Sequence, residues 1–335
     1  MSADEKTKSK AIGLDVGTSR IVLARRAKDD FQYQSQRNSF VNVPFSKMTE
    51  RSLEREGIPF AKTDEELVVH GNESEKFADL LGLETRRPMM GGMLNPSEED
   101  ATAVIERLVD SMLDGEGADG RPLHFSVPAA PLDGENNLTY HLAALTDLLA
   151  AKGFTVRAIN EGLAVVYGEL EDTNFTGIGI SCGGGLCNVC VAYLSVPVVS
   201  FSVPKAGDFI DSNAAAVTGE GATRIRIEKE RNFHFNGSYP DKIHQAIGIY
   251  YDDMIKAVVD GLERSFSAAT SLPRFKKPLP LVLSGGTAIP KGFAERFEKV
   301  LGESDFPVPL SGLRLASDPL TTTAKGALVA ALAEC

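Results

Sequence analysis

The sequence predicts an α/β protein of two duplicated halves enclosing a ligand cleft, and three observations predict it. First, three glycine-punctuated turns stand far apart in the chain: Gly13-Leu14-Asp15-Val16-Gly17-Thr18-Ser19, Gly179-Ile180-Ser181-Cys182-Gly183-Gly184-Gly185 and Leu283-Ser284-Gly285-Gly286-Thr287-Ala288. Second, each turn follows an apolar, β-branched run that reads as a strand, and strand-like and helical segments alternate in both halves of the chain. Third, Ile12-Gly13-Leu14-Asp15 echoes Ile178-Gly179-Ile180-Ser181 half a chain away, as expected of a duplicated unit holding a ligand between its copies.

Ala11 to Ala24 reads as two strands around the first turn, followed by a polar, irregular stretch to about Lys62. Glu65 to Val69 reads as a strand and Asn72 to Leu81 as an amphipathic helix; Arg86 to Met93 reads as a loop from its Pro and Gly content. Apolar residues at helical spacing (Ala103, Val104, Leu108, Val109, Met112) predict a helix over Glu98 to Leu113. Leu123 to Pro128 is strand-like. Asn137 to Ala151 is helical, with Leu142, Leu145, Leu148 and Leu149 on one side. Thr155 to Ile159 is a strand, and Glu161 to Leu170 a helix. The second half repeats this logic, with strands from Gly177 to about Phe201 and helices over Asp208 to Thr218 and Ala222 to Asn232. A strand is expected over Phe233 to Gly237, one or two helices from Pro240 to Ser267, a buried strand over Leu279 to Leu283, and helices over Gly292 to Leu301 and Pro319 to Ala333.

A glycine tip lets backbone approach a ligand closely, and its N–H groups can form an anion nest. Two such hairpins facing each other would clamp a polyphosphate, and the third turn would hold the rest of a nucleotide. Any one of these turns alone is equally well explained as ordinary hairpin chemistry; the three in this order point to a site.

The chain has 335 residues, enough for two ordinary domains, with 43% hydrophobic and 24% charged residues. A formal net charge of -11 with no basic cluster argues against direct nucleic-acid binding and against attachment to anionic membrane. Met1 to Lys10 is polar and no apolar run approaches a transmembrane segment, so a cytoplasmic location is expected. Cys182, Cys187 and Cys190 resemble part of an iron–sulfur spacing, but Cys187 and Cys190 would face opposite sides of a strand, and packing in a core strand explains them better; Cys335 completes the set.

At this point the pattern resembles the actin-like ATPase superfamily, in particular its bacterial actins of the MreB and MamK type, over almost the whole chain. Asp15-Val16-Gly17-Thr18 resembles the first phosphate loop and Arg87-Pro88-Met89 with Gly91 or Gly92 the Arg-Pro-Met-x-x-Gly segment. Ser126-Val127-Pro128 resembles a strand end, Glu161 to Gly168 the first connecting helix, and Gly183-Gly184-Gly185 the second phosphate loop. Gly207 to Asp211 resembles the element after that loop, Ser284 to Ala288 the adenosine loop, and Ala324-Lys325-Gly326-Ala327 the second connecting helix.

The resemblance implies duplicated actin-like (ribonuclease H-like) domains around a nucleotide cleft. The first half would span 1–158 plus the C-terminal helix 318–335, with a small subdomain near 30–85; the second would span 159–317, with a small subdomain near 219–278. It implies ATP (or GTP) with Mg2+ in the cleft. Gly17, Thr18 and Ser19 with Gly183, Gly184 and Gly185 would cradle phosphates, Asp15 would hold the metal through water, and Glu161 would position the attacking water. Gly207, Asp208 and Glu230 would contact the nucleotide alongside Gly285, Gly286 and Thr287. Arg20 stands where such proteins often have Asn and is either a phosphate contact or a solvated charge.

Two departures matter: Ser181 stands where the second loop normally has Asp, and Leu186 where it normally has Thr. Losing electrostatic groups at a reacting centre costs about a hundredfold or more each in rate, so weakened hydrolysis is expected. The leading functional expectation is a self-assembling, ATP-regulated cytoskeletal filament. The alternatives are a nonpolymerising nucleotide switch serving a cytoplasmic adaptor and, less favoured, a small-molecule kinase.

Overall fold

The computed structural model describes residues 11–334 apart from 29, 114, 116–117, 135–137, 236, 240 and 270–271. Met1 to Lys10, the expected helix starts Asn137 and Pro240, and Cys335 lie outside the described residues.

The first half opens with β1 (Ile12–Val16) and β2 (Arg20–Ala27), an antiparallel hairpin in which Val16 faces Ile21, extended by β3 (Asp30–Arg37). Next, β4 (Phe40–Pro44), α1 (Lys47–Glu56), β5 (Phe60–Lys62), β6 (Glu66–His70) and α2 (Asn72–Leu81) form a small unit. Its sheet runs β4-β6-β5 over its own core of Val41, Val43, Leu53, Leu67, Val69 and Ala78. The chain returns through β7 (Met89–Met90), β8 (Met93–Leu94), α3 (Ala101–Leu113), β9 (Pro122–Val127), α4 (Leu138–Ala151) and β10 (Thr155–Asn160), giving a five-stranded sheet in the order β10-β9-β1-β2-β3.

The second half follows through α5 (Glu161–Glu169), β11 (Gly177–Cys182), β12 (Cys187–Tyr193) and β13 (Val196–Val203). After α6 (Gly207–Thr218), α7 (Ala222–Arg231) and α8 (Lys242–Ala268) come β14 (Leu279–Ser284), α9 (Phe293–Gly302), β15 (Leu310–Leu315) and α10 (Thr322–Ala333). Its sheet runs β13-β12-β11-β14-β15, again a three-strand meander whose first strand pairs in parallel with a later strand, β14, which in turn pairs in parallel with β15. The two sheets therefore have the same topology, and β11 is buried at every residue, with core residues packed on both its faces.

The echo between Ile12-Gly13 and Ile178-Gly179 has a packing cause. A Cβ on Gly13 would lie 2.2 Å from the Ala324 carbonyl oxygen of α10, and one on Gly179 would lie 2.4 Å from the Gly162 carbonyl oxygen of α5. Each glycine is a seat for a helix pressed onto the central strand. The two helices also touch each other, since a Cβ on Gly326 would lie 1.7 Å from the Ala164 carbonyl oxygen.

Four expectations need correction. The stretch to Lys62, expected to be irregular, contains β3, β4, α1 and β5. β3 is an edge strand with a polar, exposed face, so it lacks an apolar run. α1 buries only Leu53, so its evidence was in its caps: the Ser46 hydroxyl accepts from Thr49 N–H, and Gly57 ends the helix in the left-handed region at φ 64°. The expected loop at Arg86 to Met93 folds into the small β7–β8 hairpin around Gly91 and Gly92, both with positive φ (57° and 78°), which suits a two-residue turn. No strand forms at Phe233–Phe235 or at Gly237. The aromatics there are anchors instead: Phe233 stacks on Tyr251 at 5.3 Å, Phe235 packs edge-on to Tyr251, and the Phe235 N–H donates to the Lys291 carbonyl. Leu142 is partly exposed, whereas Leu145 and Leu149 are buried as expected. β15, an edge strand with no fully buried residue, was not anticipated.

Cys187 joins the core around Ile180, while Cys190 packs on the opposite face with Val165 and Val166. Among the described residues no helix is long and apolar enough to cross a membrane.

Candidate functional site

The three glycine turns converge on one cavity of about 300 Å3 between the halves, within the range of small-molecule sites. Every predicted site residue lines it: Asp15, Gly17, Thr18 and Ser19 from the first turn, Glu161 from α5, and Gly183, Gly184 and Gly185 from the second turn. Gly207 and Asp208 enter from α6, Glu230 from α7, and Gly285, Gly286 and Thr287 from the third turn.

The second turn is held from behind. The Gly207 and Asp208 N–H groups donate to the Gly183 and Gly184 carbonyls at 3.1 and 2.7 Å, and the Thr287 hydroxyl donates to the Gly183 carbonyl at 2.7 Å. In the first turn, Gly17 N–H donates to the Arg20 carbonyl at 2.9 Å, and the Thr18 hydroxyl accepts from Gly92 N–H at 3.1 Å. With these contacts made, the backbone N–H groups of Thr18, Ser19, Gly184 and Gly185 have no acceptor among the described residues. Four unanswered donors in two facing turns make an anion cradle. The turns meet closely, since a Cβ on Gly184 would lie 2.4 Å from the Ser19 hydroxyl oxygen.

Beneath the cradle sit two buried carboxylates. Asp15 accepts from the Ser126 hydroxyl at 2.5 Å, and burial pushes its pKa up to about 6, partly offset by that hydrogen bond. Glu161 accepts from the Ser181 hydroxyl at 3.1 Å; burial, then the charge of Asp15, push its pKa up to about 8, with Ser181 and Asn188 opposing. Ser181, the departure noted above, is thus the hydrogen-bond donor that holds Glu161. Neither carboxylate has an ion-pair partner among the described residues, so a divalent cation fits the charge deficit. The described residues contain no group of three or more His, Cys, Asp or Glu able to hold a metal alone.

Several functional candidates were invisible in the sequence. Lys229 is buried: its ammonium contacts Asp211 at 2.7 Å and donates to the Gly207 carbonyl at 2.9 Å. Arg87 reaches across the cleft to Asp208 at 2.8 Å. Leu186 leans on the β7–β8 hairpin, since a Cβ on Gly92 would lie 2.4 Å from its Cδ1. Arg37, Arg226 and Tyr251 also line the cavity, and only the strand register and helix orientation bring them there.

A family model described as Volactin matches residues 10–331. The chain belongs to the Volactin family. A comparison with curated proteins gives no match. Among solved structures, this Volactin chain is similar to a MamK double helical filament, with a TM-score of 0.71, 18% identity, and 97% of this chain and 98% of that one covered. It is similar also to MreB5 of Spiroplasma citri bound to ADP, with a TM-score of 0.64, 15% identity and 94% of each chain covered. The ethanolamine utilization protein EutJ from Carboxydothermus hydrogenoformans matches with a TM-score of 0.55, 16% identity, and 95% and 88% covered. The Volactin chain therefore has the actin-like fold.

The buried carboxylates give the ligand-free Volactin chain a pH signature. Glu161 holds its proton in the folded state up to about pH 8 but loses it in the unfolded chain near 4.5. Its contribution to stability is therefore full below pH 4.5 and lost as pH rises towards 8. His70 and His141, pushed down to about 4 by burial, act in the opposite sense between pH 6.5 and 4, so the measurement is a difference. Urea unfolding of wild type against Glu161→Gln should show the wild type losing stability relative to the variant between pH 5 and 8, by at most about 1.4 kcal/mol per pH unit. Parallel pH profiles would remove the charge assignment.

Proposed function

We propose that this protein binds a nucleoside triphosphate, ATP or GTP, with Mg2+ in the cleft, and that the bound nucleotide regulates assembly of the chain into filaments. The observation that carries the reading is the set of four unanswered amides in two facing turns above the Asp15–Glu161 carboxylates. The two halves on either side of that cleft are taken as 1–158 with 318–335, and 159–317. Three solved relatives in fold add support: a MamK filament, a non-polymerising MamK mutant bound to AMPPNP (TM-score 0.57, 17% identity, covering 96% of this chain and 98% of that one), and MreB5 bound to ADP.

Asp15 would hold the metal, which when bound would supply positive charge to the phosphates. Thr18, Ser19, Gly184 and Gly185 N–H groups bind phosphate oxygens. Glu161 orients a water molecule near the terminal phosphate and, ionised once the cation is present, accepts its proton. Ser181 supplies no charge to the cation, and Leu186 fills with methyl groups a place where a hydroxyl would serve. Turnover is accordingly slow. The same two residues favour, as a second reading, a nucleotide switch that docks on a cytoplasmic adaptor without polymerising.

Calorimetry and sedimentation test the proposal together. Wild type should take up Mg·ATP or Mg·GTP and pellet in its presence. Asp15→Ala should lose Mg2+ dependence and about tenfold or more in affinity. Absence of heat with either nucleotide ends the proposal; binding without pelleting, with a stable adaptor complex, favours the second reading.

A further inference from the structure

Three guanidinium groups, those of Arg20, Arg37 and Arg226, gather at the wall of the cavity, and two carboxylates answer them. Glu75 takes Arg226 at 2.8 Å and Arg37 at 3.5 Å, and Glu230 takes Arg37 at 3.2 Å. Arg20 makes no side-chain hydrogen bond or ion pair with any described residue, so one positive charge is left over beside the phosphate turns. Its position is also costly. In the β2–β3 register Arg20 stands directly opposite Arg37, and like charges paired across an antiparallel ladder destabilise a sheet. Burial, then Arg37, lower the Arg20 pKa, with Arg226 adding to the effect and Glu230 and Glu75 opposing it. The charges of Glu230 and Glu75 favour an arginine here without any direct contact, whereas an anion in the cavity would meet it directly.

We propose that Arg20 binds a phosphate group of the cleft's ligand, an inference that rests on the nucleotide reading above. Arg20 directly follows Ser19, one of the four cradle residues, so its guanidinium extends the cradle along the cavity wall towards α7. A planar guanidinium grips phosphate in a bidentate fork that no backbone amide provides. The arrangement stores a repulsion between Arg20 and Arg37 in the free protein and relieves it on binding.

The phosphate could be part of the 5′ chain or a substituent of the ribose, and the test separates them. Calorimetry compares wild type, Arg20→Lys and Arg20→Gln, each titrated with Mg·ATP, with AMP and with adenosine 2′-monophosphate. Arg20→Gln should lose about 10- to 100-fold in affinity for the phosphorylated ligand that Arg20 grips, and Arg20→Lys should lose less. Loss confined to ATP assigns the residue to the polyphosphate chain; loss with adenosine 2′-monophosphate assigns it to a ribose phosphate. A second readout is thermal: ligand-free Arg20→Gln should melt no lower than wild type, while its ATP-induced rise in melting temperature shrinks. Unchanged affinity for all three ligands in Arg20→Gln overturns the inference and leaves nucleotide binding standing. Absence of binding by wild type overturns both.

Discussion

Replacing Gly326 with alanine is expected to cost about 3–5 kcal/mol, and with valine to abolish the folded state. The new Cβ of the alanine variant would sit 1.7 Å from the Ala164 carbonyl oxygen, 2.5 Å from its carbon and 2.8 Å from its Cα, all backbone atoms with no rotamer to yield. Relief requires α5 and α10 to separate by more than an ångström. Neither can retreat: α10 is pressed onto β1 at Gly13 and packs Ala324, Leu328 and Ala331 against Val22 and Ala24, while α5 is pressed onto β11 at Gly179. Displacing either helix opens a void on the far side, and close-packed interiors do not absorb such shifts. For a chain of this size the alanine variant should melt roughly 4–7 °C lower. Gly302→Ala is the matched control, because a Cβ there meets nothing within 4 Å. If the two variants melt together, the crossing is looser than described.

The second large effect is expected from Ser181→Asp. The Ser181 hydroxyl now donates to Glu161, and the substitution exchanges that donor for a third carboxylate beside two that burial already keeps partly protonated. An uncompensated buried charge costs about 3–5 kcal/mol, so the variant should melt well below wild type at pH 8 in the presence of a chelator. Mg2+ with nucleotide should restore most of that loss, since ligand binding to the folded state stabilises it by mass action. Turnover should rise about tenfold or more if the missing charge is what slows hydrolysis. A variant as stable as wild type under chelation would show that Asp15 and Glu161 do not share one electrostatic environment.

The phosphate turns were legible because their flanking strands β1, β2, β11 and β12 are buried and apolar, leaving the glycines conspicuous. α2 was legible to the residue, since its amphipathic pattern ends at Gly82 in the left-handed region. What the sequence hid was polar or long-range. β3 hides because an edge strand can carry Gln32, Gln34 and Gln36 without a core to fill. The roles of Lys229 and Arg87 hide because the partners that give them meaning, Asp211 and Asp208, come near only when α6, α7 and the β7–β8 hairpin are in place. The opposition of Arg20 and Arg37 is a fact of the β2–β3 register. Phe233 and Phe235 misled because aromatic alternation reads as a strand, yet here the rings are wedges among α8 and α9.

The seating of the two central helices has a consequence for synthesis. α5, next in sequence after β10, lies on the second sheet, whereas α10, next after β15, lies on the first. At about 5–20 residues per second, β1 leaves the ribosome roughly 15–60 s before the helix that covers Gly13. During that interval one face of the earliest sheet has no cover of its own. The nascent N-terminal half therefore waits, incomplete, until α10 arrives to cover it.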